Sequence, residues 1–483
     1  MRVLPLLWMA LLAGCMPRTP PLEPAQFQNG TAGYRYRNVH QETGTKGDET
    51  LLLVSLSGGG TRAAAFAYGV LDEMRRSSLP DGRTLVDEID AISSVSGGSF
   101  AAAYLALYGQ KRFFEDFRAE VLERQIEVAY GLRILAPWNW PWLWSPRFGR
   151  GDLAAEYYES IFGPRTFADL MHRQPFVSLN ATDIGIGAQF SFTQEHFDRI
   201  CADLSKVPIA RAVAASSAFP VAFTPLTLEN RPKTDCGYVA PRWVERAEAD
   251  FETAPENWQL ARTWRSYEDA TKRPYIHLSD GGLSDNIGLR AFEQEFITND
   301  WDIVGALNSR RLQRIVVIAV DAKPRAPACM DQSAHPPSWP FVLEAAATNP
   351  MENYSSDTIE RFREWVDSWR NENLDLVARR HECEDLVGGI CGRDAACRTR
   401  NRRRCDSIST PANPNLSLHL IHVRFDAIEP PDVRERVQGI GTRLQLSSEE
   451  VGLLIDWGRW LLQQSDEYQQ VLSEMRATVE AVR

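Results

Sequence analysis

Ser96 is the residue of this chain whose surroundings best suit covalent chemistry. It lies in Ser94-Val95-Ser96-Gly97-Gly98, after an apolar run and before a run of helix-like composition. A serine on such a sharp strand-to-helix turn exposes its hydroxyl group as a nucleophile. Earlier in the chain, Ser57-Gly58-Gly59-Gly60-Thr61-Arg62 offers bare backbone N–H groups, which can stabilise an oxyanion. Together the two segments predict acyl-transfer chemistry.

The glycine loop also has an alternative interpretation. Three consecutive glycines directly after a buried strand cost conformational entropy, so they are expected where the backbone approaches a ligand closely. A phosphate would be such a ligand. A Walker loop is excluded because Gly-Lys-Ser/Thr is missing, and Ala63 occupies the last glycine position of a dinucleotide fingerprint.

A third segment, Ser279-Asp280-Gly281-Gly282, supplies a carboxylate. Asp280 ends a predicted strand, so we expect its side chain at the carboxyl edge of the sheet, where sites form in open α/β sheets. An aspartate can act as a base toward a serine when the geometry allows it. Taken alone, an Asp-Gly pair is also typical of an ordinary turn.

The elements that must position these segments alternate between strands and helices. Helices are predicted over residues 62–76 and 99–108, directly after the glycine loop and the Ser96 turn. A helix that begins after Ser96 favours negative charge at its N-terminus. The predicted strands cover residues 51–56, 89–93, 175–181, 189–193, 275–278, 315–320 and 415–425. This alternation indicates an α/β layer sandwich.

The glycine loop, the serine turn and the Asp-Gly-Gly turn, in this order, resemble the patatin-like phospholipase family. Further segments similar to that family are Asn180-Ala181-Thr182-Asp183, Phe190-Ser191-Phe192-Thr193 and Ala214-Ala215-Ser216-Ser217-Ala218-Phe219-Pro220. The resemblance covers residues 50–295. It implies an α/β fold, a three-layer α/β/α sandwich, here with a helical, cysteine-containing extension at the C-terminal end.

The resemblance also implies roles for individual residues. Ser96 matches the nucleophile and Asp280 the base of a Ser–Asp dyad, which needs no metal and no cofactor. The remaining matches are Gly58, Gly59, Gly60 and Arg62 at the oxyanion hole, and Gly98, Gly281 and Gly282 in the two turns. The chain departs from many members of the family at three positions: Ser57 replaces an aspartate, and Ala63 and Ser94 replace glycines.

The implied activity is release of fatty acids from phospholipids or related acyl esters through an acyl-enzyme. Two alternatives remain open: a non-catalytic lipid- or partner-binding protein of the same fold, and a carboxylesterase of broad specificity. A histidine-based triad is not expected. His277 is predicted to pack on a strand, and His419 and His422 lie far along the chain.

The N-terminus carries an export signal. Residues 1–14 fit a signal peptide, because their apolar run is too short to span a bilayer. Leu12-Ala13-Gly14-Cys15 resembles the lipobox of bacterial lipoproteins, so we expect lipid on Cys15 and, since Met16 follows, an outer-membrane location. A plain secretory signal is the alternative. Residues 15–47 are expected to be a flexible tether, 48–325 the catalytic domain, and 326–483 an extension that completes the core.

Cysteine usage agrees with export. The chain has eight cysteines, and four of them lie within residues 383–405. In an oxidising compartment this stretch predicts a loop closed by disulfides, and its spacings do not match common zinc sites. The sequence leaves the pairing open.

Charge and aromatic residues indicate the partners. The formal net charge of -11 argues against a nucleic-acid binder. Trp138, Trp140, Trp142 and Trp144 alternate in a proline-interrupted segment. Tryptophan favours membrane interfaces, so the segment is interpreted as a lid or wedge at the lipid surface or, alternatively, as an aromatic cluster that packs a long loop. The arginine run 398–404 fits a solvated loop or a contact with anionic head groups.

Overall fold

A single mixed sheet organises the chain. The computed structural model describes residues 22–28, 30–43, 49–146, 148–220, 222–298, 312–324, 334–392, 394–405 and 416–482. The strands within these ranges are β1 Thr50–Leu56, β2 Ile89–Val95, β3 Phe176–Asp183, β4 Ala188–Ser191, β5 Leu226–Glu229, β6 Tyr275–Asp280, β7 Arg314–Asp321 and β8 Ser417–Arg424. Their order across the sheet is β5-β6-β3-β2-β1-β7-β8, and β4 pairs with β3.

Helices flank this sheet. The α-helices of the described residues are α1 Tyr36–Thr43, α2 Gly60–Arg76, α3 Gly97–Phe117, α4 Ile126–Leu135, α5 Trp140–Leu143, α6 Arg150–Phe162, α7 Gln194–Asp198, α8 Ile209–Ser216, α9 Arg242–Glu248, α10 Pro255–Ser266, α11 Gly282–Asp285, α12 Arg290–Thr298, α13 Trp339–Cys391, α14 Ala395–Cys405, α15 Pro431–Gln438, α16 Ser448–Gln463 and α17 Asp466–Val482. The predicted three-layer α/β/α sandwich with a helical, cysteine-containing C-terminal region is confirmed.

The centre of the sheet is parallel. β1 pairs in parallel with β2 and with β7, and its residues Leu51 to Leu56 are buried. A strand buried on both faces reads as a continuous apolar run, as this one does. Each of β1 and β2 leads directly into a helix, so the glycine loop and the Ser96 turn lie at the same edge of the sheet.

Asp280 reaches that edge by a route that differs from the prediction. β6 runs antiparallel to β3, so it does not share the direction of β1 and β2. β3 extends beyond the end of β2: Val95 is opposite Asn180, and Asp280 is opposite Ala181. β3 lies between β2 and β6 and pairs with both. Its extra length places the last residue of β6 beside the Ser96 turn.

The C-terminal extension shares the core of the domain. β8 pairs with β7 along its whole length, and α16 packs closely on α2. A Cβ atom on Gly458 would lie 2.5 Å from the carbonyl oxygen of Phe66, so the small residue permits the close helix contact. Buried side chains of α16 and α17 belong to the same hydrophobic cluster as β1 and β2.

The cysteine-rich stretch, residues 383–405, is helical, so the prediction of a loop is wrong. The prediction that local disulfides close this stretch is confirmed. Cys383 pairs with Cys405 and Cys391 with Cys397, which fastens α14 to the end of the long helix α13. A third disulfide joins Cys201 to Cys236. Cys15 and Cys329 lie outside the described residues.

The prediction of a flexible tether over residues 15–47 is wrong for the described residues of that segment, 22–28 and 30–43. Tyr34 is completely buried, stacks on Phe176 with ring centroids 4.8 Å apart and donates its hydroxyl to the Val177 carbonyl. Arg35 forms buried ion pairs with Glu195 and Asp198. These side chains fasten the segment to the domain despite its polar composition. Residues 1–21 lie outside the described ranges, and no described helix is long and apolar enough to cross a membrane.

Candidate active site

The structure brings Ser96 and Asp280 into direct contact. The Ser96 hydroxyl donates a hydrogen bond of 2.8 Å to Oδ2 of Asp280, across a separation of 184 residues in the chain. Ser96 is 8% exposed and Asp280 is 2% exposed, so the pair is almost completely shielded from solvent. A hydroxyl that donates to a buried carboxylate is the arrangement in which proton removal produces an alkoxide nucleophile.

The Ser96 backbone adopts a conformation that side-chain-bearing residues rarely occupy. Its φ is 49° and its ψ is -117°, between the end of β2 and the start of α3. A strained backbone conformation of this kind persists only where contacts with the surrounding structure hold it in place. Here the Ser96 N–H donates to Oγ of Ser216, which in turn donates to the Asn180 carbonyl at 2.6 Å. Ser216 and Asn180 therefore act as supports of the turn.

Two glycines allow the turn to lie against the rest of the site. A Cβ atom on Gly97 would overlap the carbonyl oxygen of Gly60, and one on Gly98 would lie 2.6 Å from the carbonyl oxygen of Leu56. Both obstacles are backbone atoms, which cannot move aside cheaply. The positions after Ser96 thus require glycine because the serine turn and the glycine loop are in contact.

Burial makes Asp280 more basic than an ordinary aspartate. Loss of solvation raises its pKa from 3.8 to about 6, against the lowering effect of hydrogen bonds from the Gly282 N–H and the Ser96 hydroxyl. The Gly282 N–H donates to Oδ1 at 2.9 Å, which leaves Oδ2 directed to Ser96. The Asp280 N–H donates to the Ala218 carbonyl, so the strand end is also held.

The two glycines after Asp280 serve different purposes. A Cβ atom on Gly281 would overlap the carbonyl oxygen of Asn180, so this position requires glycine for backbone packing. A Cβ atom on Gly282 would meet the terminal methyl of Met351, which belongs to α13. The long helix of the extension therefore closes on the Asp-Gly-Gly turn.

The glycine loop presents two free N–H groups. Gly59 and Gly60 have positive φ angles of 136° and 59°, and within the described residues their N–H groups have no acceptor. The Gly58 N–H, in contrast, donates to the Asn286 carbonyl at 2.9 Å. The prediction that Gly58 offers its N–H to an oxyanion is therefore wrong for this conformation. Gly58 is small because a Cβ atom would overlap Oδ1 of Asn286.

The Arg62 side chain packs against the glycine loop and holds it in place. Its guanidinium is 1% exposed and donates to the carbonyls of Ala322 and Ile440 at 3.0 and 2.7 Å. Burial lowers the pKa of Arg62 to about 10. One terminal nitrogen lies 2.8 Å from the Cβ position of Gly59, so the cation lies directly under the loop. Arg62 thus ties the loop to β7 and to the extension, and it is not a donor that points toward Ser96.

Three further residues contribute to the site without having been assigned roles from the sequence. Asn286 holds Gly58 through its carbonyl, and its side chain lies between the Cβ positions of Gly58 and Gly282. Ser216 and Asn180 hold the Ser96 backbone. Asn180 and Ser216 lie in segments that resemble the family, and Asn286 follows the Asp-Gly-Gly turn by four residues. Their individual contacts depend on chain crossings that no local pattern reveals.

The remaining sequence candidates lie elsewhere. His277 is on β6, where its ring contacts the Thr227 hydroxyl at 3.0 Å on an exposed face. His419 and His422 lie on β8, beyond β7 from the dyad strands. Among the described residues, no group of three His, Cys, Asp or Glu side chains is arranged to hold a metal ion.

Comparisons with known proteins show the family of the domain that contains these residues. Residues 54–292 match the family model of the patatin-like phospholipases. No curated protein matches the chain. Human GIVD cytosolic phospholipase A2 is similar in structure at 13% identity, with 96% of this chain and 69% of that chain covered and a TM-score of 0.41. VipD from Legionella pneumophila gives 11% identity, 96% and 73% coverage, and a TM-score of 0.29. The family match, the fold and the three glycine-containing turns together identify residues 54–292 of this chain as a patatin-like phospholipase domain.

Proposed function

We propose that this protein is a serine acyl hydrolase that releases fatty acids from phospholipids or related acyl esters. The observation that carries the proposal is the 2.8 Å hydrogen bond from the Ser96 hydroxyl to a buried carboxylate of Asp280. The raised pKa of that carboxylate, about 6, supports a base that is ionised at neutral pH yet able to accept a proton. The patatin-like phospholipase domain supports an acyl ester of a lipid as the substrate class.

The acylation step uses the dyad as nucleophile and base. Ionised Asp280 accepts the hydroxyl proton while Ser96 Oγ forms a bond to the ester carbonyl carbon. The carbonyl oxygen becomes an oxyanion, which the free N–H groups of Gly59 and Gly60 are suited to stabilise. The oxyanion then collapses, the bond to the leaving alcohol breaks, and the alcohol oxygen takes the proton from Asp280. The acyl group remains on Ser96.

Deacylation repeats the same steps with water. Water gives a proton to Asp280 and attacks the acyl carbon, and the same two N–H groups receive the second oxyanion. Collapse returns the proton to Ser96 Oγ and releases the fatty acid. The positive end of α3, which begins at Gly97, also favours negative charge at this point.

We further propose that the protein is exported and anchored by lipid on Cys15, on the outer membrane. The lipobox-like Leu12-Ala13-Gly14-Cys15 supports this proposal, although it lies outside the described residues. The disulfides Cys201–Cys236, Cys383–Cys405 and Cys391–Cys397 support an oxidising compartment. Metabolic labelling with a radioactive fatty acid tests it: we expect labelled wild-type protein and no label in the Cys15→Ser variant. Equal labelling of both would contradict the anchor.

Release of fatty acid from mixed phospholipid vesicles tests the activity. The chain from residue 16 contains every described residue and is compared with its Ser96→Ala variant. We expect release by the wild type and a loss of at least about 10³-fold in the variant. Release from neither protein, with both folded, would favour a lipid- or partner-binding role. Hydrolysis of short soluble esters with no phospholipid hydrolysis would favour a carboxylesterase of broad specificity.

A further inference from the structure

An exposed apolar band lies on α4 and the tryptophan segment that follows it. Its members are between 43% and 79% exposed and comprise Val128, Leu132, Leu135, Trp138, Trp140 and Trp144. The three members on α4 are spaced four and three residues apart, so they share one face of the helix. The opposite face of α4 buries Ile126 and Tyr130. Large apolar side chains exposed together in one short segment mark an interaction site.

Hydrogen bonds and ring packing fix the conformation of the tryptophan segment of the exposed band. The side chain of Asn139 is buried and donates to the Arg133 carbonyl at 2.7 Å, and the Trp140 indole N–H donates to the Ile134 carbonyl at 3.2 Å. Trp142 turns inward, with its ring 6.5 Å from that of Phe148. One tryptophan therefore packs the segment, and the other three face outward from a fixed frame.

α4 contacts a loop that closes on the glycine loop. The Leu444 N–H donates to Oε1 of Glu127, at the start of α4, with a distance of 2.7 Å. The preceding carbonyl, that of Arg443, accepts a 2.9 Å hydrogen bond from the Thr61 N–H. Two consecutive residues thus join the helix of the exposed band to the loop that carries Gly59 and Gly60.

α4 also contacts the segment on the other side of the dyad. The Tyr130 ring lies 5.2 Å from that of Phe223. The Phe223 N–H donates to the Phe219 carbonyl, and the neighbouring Ala218 carbonyl accepts from the Asp280 N–H at 3.0 Å. The exposed band is therefore attached to both chain segments that border Ser96 and Asp280.

Three arginines near α4 have no carboxylate partner among the described residues. The guanidinium groups of Arg124 and Arg133 lie over the Tyr157 ring at 5.2 and 5.1 Å. Tyr130 donates its hydroxyl to the Arg150 carbonyl, which places the backbone of Arg150 beside α4. Within the described part of the chain, none of these three arginines forms an ion pair. Guanidinium groups that lack a carboxylate partner suit anionic phosphate groups.

We propose that the protein docks on an anionic phospholipid bilayer through the exposed band, with the three arginines near α4 contacting lipid phosphates. The inference rests on the proposed function, since a hydrolase of membrane lipids must meet its substrate at a bilayer. Tryptophan and leucine side chains enter the interfacial region while arginines contact the phosphates. Both chain segments that border the dyad are attached to the docked helix, so docking fixes the position of the dyad relative to the bilayer.

Vesicle co-sedimentation tests the docking surface directly. The chain from residue 16 is mixed with vesicles of phosphatidylcholine containing phosphatidylglycerol. The test variant is Leu132→Ser/Trp144→Ser, whose side chains are 64% and 79% exposed. The matched control is Leu386→Ser/Ile390→Ser on α13, with exposures of 61% and 79%. We expect about tenfold or greater loss of binding in the test variant and wild-type binding in the control, because membrane affinity scales with the apolar area buried.

Two outcomes would overturn the proposal. Wild-type vesicle binding by the test variant would assign the band to another partner, such as a protein. Equal losses in both variants would mean that exposed apolar residues bind vesicles regardless of position. In the charge arm, Arg133→Gln is expected to weaken binding to vesicles with phosphatidylglycerol but not to pure phosphatidylcholine. An equal effect on both vesicles would contradict the role of the arginines.

Hydrolysis of a short soluble ester separates this proposal from the proposed function. We expect the test variant to hydrolyse the soluble ester at the wild-type rate but vesicle lipid about tenfold more slowly. If the wild type hydrolyses neither substrate, the proposed function fails, and the binding comparison still decides the docking surface.

Discussion

The Ser96 turn and helix α4 are built in opposite ways. Ser96 and Asp280 are almost completely buried, and the Ser96 backbone has a rare positive φ. α4 is a regular helix that leaves large apolar side chains in solvent. The proposed dyad needs rigid placement and exclusion of water, whereas the proposed docking surface needs only accessible area. The comparison teaches that the two proposed tasks place opposite demands on two parts of one chain.

The glycines of the two regions express the same difference. Gly97 lies against the Gly60 carbonyl, where a side chain would overlap backbone, whereas nothing lies within 4 Å of the Cβ position of Gly131 on α4. In the Ser96 turn, position 97 requires glycine because a side chain would overlap the neighbouring backbone. On α4, Gly131 has no such contact, so glycine there only lowers the stability of the helix.

Replacement of Asp280 is expected to have the largest effect. Asp280→Asn keeps the size of the side chain but removes the base, so kcat/KM should fall by about 10³-fold, within the range for general-base catalysis. Steady-state hydrolysis of a soluble ester measures it. Activity within tenfold of wild type would show that Ser96 does not depend on this carboxylate.

The same variant should be more stable than wild type at neutral pH. Burial raises the folded-state pKa of Asp280 from 3.8 to about 6, a shift of two units that corresponds to about 3 kcal/mol. In wild type, protonated Asp280 contributes to the free energy of unfolding below about pH 4. This contribution is lost as the pH rises through about 6. Denaturant unfolding should therefore show an advantage for Asp280→Asn at pH 7 that vanishes near pH 4. A pH-independent difference would contradict the pKa shift.

Gly97→Ala should damage the turn severely. The added methyl group meets the Gly60 carbonyl, so we expect a loss of about 3 kcal/mol in the free energy of unfolding. Activity should also fall because the carbonyl belongs to the glycine loop. Urea unfolding and ester hydrolysis on one preparation measure both effects, and a loss below about 0.5 kcal/mol would contradict the close contact.

The pH profile should show a single acidic limb. Only ionised Asp280 can accept the Ser96 proton, so kcat/KM should fall about tenfold per pH unit below about pH 6 and level off above it. A profile that stays flat down to pH 4 would mean that the carboxylate has an ordinary pKa.

Gly131→Ala should have the smallest effect and the opposite sign to Gly97→Ala. Alanine in a helix interior is favoured over glycine by about 0.5–1 kcal/mol, and the Cβ position is open. Thermal unfolding should show a modest gain, with unchanged hydrolysis of the soluble ester. A loss of stability would show that α4 packs more tightly than its open surface indicates.

The positions that the sequence predicts well are those with a local cause. Ser96, its flanking glycines and the glycine loop follow directly from a strand end and a helix start, so short motifs contain them. The central strands were predicted to within a few residues because β1 and β7 are continuously buried and apolar. β5, Leu226–Glu229, was missed because it has four residues with alternate ones exposed.

What the sequence did not reveal depends on long-range contacts. The direction of β6, the bond from Gly58 to Asn286 and the carbonyl partners of Arg62 arise from pairings across many residues. The burial of Tyr34 contradicted a tether that polar composition suggested. The exposed face of α4 could have been found, since Val128, Leu132 and Leu135 already have helical spacing, but their exposure required the structure.

Labelling with a fluorophosphonate probe tests the central claim most directly, because only an activated serine reacts. Wild type, Ser96→Ala and Asp280→Asn are labelled at pH 8, and the adduct is located by peptide mass spectrometry. We expect one adduct on Ser96, no adduct in Ser96→Ala, and labelling of Asp280→Asn that is slower by about 10³-fold. An adduct on another serine, or labelling of Asp280→Asn at the wild-type rate, would contradict the Ser96–Asp280 dyad.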